Sequence, residues 1–540
     1  MDNENLNRRF NWFFMMILIS VFQVITAIPV LFKEEINPEL FGVFGGFLLV
    51  EWLYFIVASV FCNQNNFELE VIGFLFSGIG LTVSASVYDG YALKQALSIL
   101  LGLCVFIVLI LMLRRTDIVM KLRMPIAIAA VGLLCVNLLL AEYNNGALNW
   151  ITIAGFSIQP SEIVKLAFIF VGAASLDKLQ STKSLTKYLI FSIGCVGALF
   201  LMRDFGTALI FFFTFVIIAF MRSGDLRTIV LVCVAAALGA VMIIYFRPTV
   251  AARFSTYRHI WEQMNEAGMQ QTRVLIYSVS GGLFGLGIGN GKLKHIFAST
   301  TDLVFGMLCE EWGMLIALIV VLTYVFILHY AIKVARTTRS AFYAIAACAA
   351  AGLMLFQTAL NIFGVTDILP LTGVTLPFIS RGGSSMICSW GLLAFIKAAD
   401  IRTYPKLSKT ILPDHPLYPP DIRIGKISSR PSRISNTPAD SQQTRTSRRR
   451  QTPQNDDDNF TKVYPSPRNS SVQSRQRTPQ KQSAPQKQQS VRQQQPVQRK
   501  ASPQRQASAQ RQAAPQRRSA PQRQQASAQG RKPTDRRTPR

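Results

Sequence analysis

Asp302 stands in the stretch STTDLVF, where a glycine-rich segment gives way to a long apolar run, and Glu310 and Glu311 follow inside that run. A carboxylate is expensive to hold in a membrane-length apolar segment and marks a functional position by default. At the mouth of such a segment Asp302 is placed to take a proton as a general base. It is equally placed to cap the helix that begins there, because a Thr or Asp side chain accepts from free amides and a carboxylate suits the positive helix end. Glu310 and Glu311 lie roughly 12–13 Å further along if the run is a helix rising about 1.5 Å per residue. At least one of them must face a protein interior or a wet cavity, either for chemistry or to meet a basic partner that holds the helix in register.

Four other places carry charge against an apolar background. Glu162 and Lys165 in QPSEIVKLAFIF are three residues apart and share a helix face. They read either as an ion pair or as a lysine oriented by its carboxylate toward an anionic group. Arg203 and Asp204 in LMRDFGTALI interrupt two apolar runs, as a tight hairpin or as part of a site. Arg381 in FISRGGSSM precedes two glycines and two serines, including Ser384, that open another run. Free amides at a helix N-terminus beside an arginine suit a phosphate, and a plain turn and cap would explain the same residues. Arg253, Arg258 and Arg273 are further basic candidates in the long connection before Asp302. GGLFGLGIGNG has too many glycines for a helix and lacks the Lys-Ser/Thr ending of a P-loop.

The elements that must position these residues are apolar runs of membrane length. The chain has 540 residues, 50% of them hydrophobic, and the two parts of it differ. Up to about residue 400, apolar runs occur at 11–32, 40–62, 69–88, 92–113, 123–141, 161–178, 186–202, 205–222, 227–246, 304–330, 340–366 and 384–399. Each has about the length needed to cross a bilayer. Backbone amides cannot stay unpaired in lipid, so each run should be helical. The expected fold is an all-α polytopic membrane protein of about twelve transmembrane helices. No small-residue cleavage site follows the first run, which reads as a retained helix.

Short connections rich in Lys and Arg (Arg114, Arg115, Lys121 and Arg123; Lys178, Lys183 and Lys187; Arg222 and Arg227; Lys333, Arg336 and Arg339) fall on one side of a twelve-span chain. That side is expected to be cytoplasmic and to hold both termini. Three long connections, about 142–161, 247–303 and 364–384, then share the outer face. Their Trp, Ile, Phe and Leu content argues for ordered loops forming one composite site.

Residues 403–540 are rich in Gln, Arg, Ser, Pro and Ala. Residues 401–540 hold 30 Lys and Arg against 7 Asp and Glu, which accounts for +23 of the formal net charge of +27. Such a segment buries too little apolar surface to fold and is expected to be a disordered basic tail. Its charge suits anionic headgroups or protein partners. Nucleic acid is an unlikely partner, since no aromatic residues interleave for base stacking. The eight cysteines lie in or at the edges of apolar runs without a CxxC pair, and the four histidines are scattered, so no metal site is read from them.

QPSEIVK, DFGTALI, QQTRVLIYSVSGGLFGLGIGNG followed by TTDLVFGMLCEEWG, and LPLTGVTLPFISRGGSS occur in that order. Together they resemble the SEDS family (FtsW, RodA, SpoVE), polytopic peptidoglycan glycosyltransferases, over about residues 70–400. The family usually has ten spans. The resemblance therefore implies a ten-helix core at 69–402, an added N-terminal hairpin at 1–68 and the tail from 403. It implies that Asp302 is the essential outer-loop aspartate, and that Glu162 and Lys165 are the carboxylate and lysine of the QPSE-x-x-K motif. Several positions depart from the usual pattern: FAST before the aspartate, Leu303 after it, Leu148–Asn149, Arg203, and Arg381 where Tyr is frequent.

The implied reaction is polymerisation of lipid II at the outer membrane face, with inversion and release of undecaprenyl pyrophosphate, for division or elongation. Asp302 is the expected base. Glu162, Lys165, Arg203, Arg273, Arg381 and Ser384 are the expected substrate contacts, with Glu310 and Glu311 in support. No cofactor is certain, and a divalent cation, Mg or Mn, is one candidate for stabilising the pyrophosphate. The implied partners are a class B penicillin-binding protein, the cross-linking transpeptidase, and other divisome or elongasome proteins. Two rival readings are a lipid II flippase, since intramembrane charge also suits a transporter, and a non-catalytic cell-wall scaffold working through the basic tail.

Overall fold

Apolar runs with no water to satisfy their amides fold as helices, and they do so in the computed structural model of the chain. It describes residues 3–403 apart from 33–36, 62–65, 145–146, 154–155, 176–181, 267, 339 and many positions between 225 and 254. The described residues belong to the unit Met1–Ser429. The second unit, Arg430–Arg540, and with it the expected disordered tail, lies outside the described residues. The helices are α1 (Asn3–Leu31), α2 (Pro38–Ile56, prolonged by a π-turn to Phe61), α3 (Glu68–Val87), α4 (Asp89–Leu113), α5 (Thr116–Leu140), α6 (Pro160–Ser175), α7 (Thr182–Leu201) and α8 (Phe205–Ser223). They continue with α9 (Met269–Ser280), α10 (Val304–Met307), α11 (Gly313–Ala335), α12 (Ala341–Val365) and α13 (Gly383–Ala399).

Among the described residues eight helical segments are long and apolar enough to cross a membrane, and two shorter apolar helices accompany them. The chain is a polytopic membrane protein. Eleven of the twelve expected spans coincide with helices, while the ninth, 227–246, lies largely outside the described residues.

One expected loop is instead a small sheet. Residues 142–158 form three antiparallel strands, β1 (Glu142–Asn144), β2 (Ala147–Ile153) and β3 (Phe156–Ile158), with Glu142 opposite Trp150 and Thr152 opposite Ser157. The sequence carries part of the reason: Ile151, Thr152 and Ile153 are β-branched. The otherwise all-α class needs that qualification.

The core is centred on α3, α12 and α13. Trp390 of α13 is fully buried, its ring 5.1 Å from Phe74, 5.5 Å from Phe106 and 5.6 Å from Phe378. It fits because Gly73 on α3 and Gly102 on α4 face it, and a Cβ at either would come within 3 Å of the indole. The far end of α13 is tied down by a buried ion pair, Lys397 to Glu70 at 2.7 Å. Its start is tied by Ser384 Oγ, which accepts from the Gln159 amide at 3.2 Å. Held at both ends, α13 gives the loops before it a fixed base.

The glycine-rich segment winds as turns against a π-turn, Leu308–Trp312, that joins α10 to α11. Its backbone lies so close that a Cβ on Gly281 would overlap the carbonyl oxygens of Cys309 and Glu310. One on Gly285, at φ 84°, would overlap that of Glu311. Gly285→Ala should therefore destabilise the protein by about 1–3 kcal/mol, from overpacking and the left-handed backbone. The check is thermal unfolding of the purified variant in detergent, where an unchanged midpoint would contradict this close approach.

Candidate active site

The three connections that sequence placed on one face meet around a cavity of about 420 Å³. Asp302, Glu162, Lys165, Arg203 and Arg381 all line it, together with Asp204, Lys294 and Tyr91. Arg273 does not: it is exposed on α9 and is not among the residues that line the cavity. Ser384 is buried just behind, in the hydrogen bond to Gln159 described above.

Pro160 opens α6, where its missing N–H costs nothing. One turn on, Lys165 Nζ lies 2.9 Å from Glu162 Oε1, and both side chains are buried. Lys165 also donates to Gln357 Oε1 of α12 at 2.9 Å. Gln357 Nε2 in turn donates to the carbonyl and hydroxyl of Thr375, at 2.8 and 3.1 Å. The ion pair is therefore present and is tied through α12 to the loop before α13.

Between α7 and α8 the chain turns at Arg203 with φ 62°, a left-handed conformation that a residue with a side chain seldom adopts and that often marks a functional position. Asp204 caps α8, its Oδ1 accepting from the Thr207 amide at 3.1 Å. Its Oδ2 accepts from Gln159 Nε2 at 3.1 Å and from Asn149 Nδ2 at 3.4 Å. Asp204 thus joins α8, the small sheet and the start of α6.

Asp302 is half-buried, and α10 opens with Leu303 at its cap position, one residue later. Asn361 of α12 donates to the Asp302 carbonyl at 2.8 Å and to that of Val374 at 2.7 Å, clasping two loops with one amide. Gly373, at φ 72°, passes so near that a Cβ there would lie 3.5 Å from Asp302 Oδ2. Ser380 Oγ donates to the Thr301 carbonyl at 2.6 Å, and the Arg381 amide and Nε donate to Thr300 at 2.7 and 3.0 Å. The Arg381 guanidinium lies over the Tyr91 ring, 3.8 Å from its centroid. Burial lowers its pKa, yet an arginine remains charged at any ordinary pH.

Glu310 and Glu311 lie in the π-turn and bind backbone. Glu310 accepts from the amides of Lys292 and Leu293 at 2.7 and 2.9 Å, and Glu311 from that of Gly289 at 3.0 Å. Lys294, in turn, lines the cavity and donates to the Gly289 carbonyl at 2.6 Å. The two glutamates thus hold the glycine-rich loop that leads to Asp302.

Charge-based reading of the sequence missed Gln357 and Asn361. The available signal was their spacing: QTALN puts two amides four residues apart in an apolar helix, on one face. Tyr91 and Lys294 carried no such signal. Among the described residues no three His, Cys, Asp or Glu side chains gather as a metal site.

The assembly is a polytopic membrane protein with a half-enclosed polar cavity, cations and carboxylates facing one another at one end of the bundle. A family model described as Cell cycle protein, covering FtsW, RodA and SpoVE, matches residues 66–404, and the chain belongs to that family. Curated relatives include the probable peptidoglycan glycosyltransferase FtsW of Bacillus subtilis, 28% identical over 61% of this chain and 85% of the relative. Another is the peptidoglycan glycosyltransferase RodA of Mycobacterium leprae, 25% identical over 70% and 88%. The fold is similar to a chain of a solved peptidoglycan synthase complex described as coordinating polymerization and crosslinking. That match has a TM-score of 0.52 and 22% identity over 61% of this chain and 96% of the other.

Proposed function

We propose that this chain is a peptidoglycan glycosyltransferase that polymerises lipid II at the outer face of the cytoplasmic membrane. The observation that carries the reading is one cavity holding Asp302 among four cations, Lys165, Arg203, Lys294 and Arg381. The names of the FtsW and RodA relatives support it.

In this mechanism the acceptor sugar's 4-hydroxyl gives its proton to the Asp302 carboxylate as its oxygen bonds to C1 of the donor sugar. The bond from C1 to the phosphate oxygen breaks, and the electron pair leaves with undecaprenyl pyrophosphate, inverting C1. The leaving group is already good, so its main need is charge stabilisation, which the cations supply in a partly water-excluded site. A Mg or Mn ion, if one takes part, would be held by one carboxylate and the substrate's own phosphates, the usual manner of Mg. Asp204, Gln357 and Asn361 position the elements. The outer orientation follows from the basic connections, with both termini in the cytoplasm and residues 403–540 as a cytoplasmic tail. A class B transpeptidase is the proposed partner, in keeping with the synthase complex that the fold resembles.

The test is the purified full-length chain with lipid II, alone and with its transpeptidase. Glycan polymer and free undecaprenyl pyrophosphate are expected. Lipid II crossing the bilayer with no polymer in either sample would replace this reading with that of a flippase.

A further inference from the structure

A groove of about 610 Å³ runs between α5 and α7, starting in the half of the bundle away from the active-site cavity. The placement follows from chain direction. Residues beyond the end of α5, Asn149 and Trp150, line the active-site cavity, as does Arg203 just past the end of α7. Arg123 and Lys187 lie nearer the opposite ends of α5 and α7, and the groove runs from them along the helices to Cys135 on α5 and Phe191 on α7. Ile128, Val131 and Phe191 supply an apolar wall. Arg123 and Lys187 stand at its mouth from two different helices.

Lysines and arginines near helix ends commonly extend to the headgroup layer on their own. What sets this pair apart is that both line one groove, from two different helices. Neither residue makes an ion pair among the described residues. Further along α5 the groove is open at Gly132, where a Cβ would meet nothing within 4 Å. A cationic mouth over an open apolar channel complements a phosphate headgroup with acyl chains beneath it. We propose that this groove binds an anionic phospholipid, its phosphate between Arg123 and Lys187 and an acyl chain along Val131, Gly132 and Phe191.

The experiment is native mass spectrometry of the delipidated full-length protein in detergent, titrated with phosphatidylglycerol or with phosphatidylcholine. Phosphatidylglycerol should be retained on the order of tenfold more strongly, the scale expected of two basic groups at a membrane surface. The R123Q/K187Q variant should lose that preference. Gly132→Leu, which fills the channel and leaves both charges in place, should weaken retention as well. A K333Q/R336Q variant, altered at the end of α11, should behave as wild type. Equal retention of the two lipids by the wild type would overturn the proposal. So would a phosphatidylglycerol preference that survives in R123Q/K187Q or in Gly132→Leu, or one lost equally in K333Q/R336Q.

Discussion

Asp302→Asn should reduce polymerisation of lipid II by about 10²–10⁴-fold, the usual contribution of a positioned general base, and leave the protein folded. The substitution keeps the shape of the side chain and removes its basicity. Asn361 holds residue 302 through the backbone carbonyl, so the clasp from α12 is untouched. The side chain is half-buried and asparagine matches its size, so stability should change little. The measurement is the polymerisation rate of the purified variant beside its thermal midpoint. A folded variant with nearly wild-type rate would remove Asp302 from the chemistry and leave the cations as the main catalytic feature.

Lys165→Met should have the largest effect on stability. Lys165 and Glu162 form a buried pair, and removing one partner of such a pair costs about 3–5 kcal/mol, because the other charge is left unpaired away from water. Gln357 also loses the donor to its Oε1. The double variant E162Q/K165M no longer leaves a lone carboxylate and should regain much of the lost thermal stability. It should still polymerise poorly, since a cavity cation is gone. Thermal midpoints of wild type, both single variants and the double variant measure the coupling. If Lys165→Met were as stable as wild type, Lys165 would not be holding α6 to α12.

The glutamates of the π-turn show how far local sequence carries an assignment. Two carboxylates inside an apolar run had to be buried and satisfied, and that much follows from the cost of charge in such a segment. Their partners are amides of the glycine-rich loop, and nothing in the residues nearby says so. The loop comes close because Gly281 and Gly285 have no Cβ to hold it off. The same two facts, expensive carboxylates and a run of glycines, are visible in sequence and become one clamp only when the loop folds back.

What the sequence determined by itself is whatever depends on local pattern. Apolar length and the need to pair every amide set the helices. The Glu162 and Lys165 spacing set their ion pair. The grouping of three long connections followed from alternating spans and basic short loops, and all three contribute to one cavity. Tertiary structure decided what joins residues distant in the chain: Gln357 to Lys165 across 192 positions, Asn361 to Asp302 across 59, and Arg381 stacked on Tyr91. It also separated Arg273, exposed on α9, from the other arginines and lysines, since residue type states charge but not direction. The physical reason is that periodicity and capping act over a few residues. A site assembled from several helices depends on how their faces pack, and no single segment carries that information.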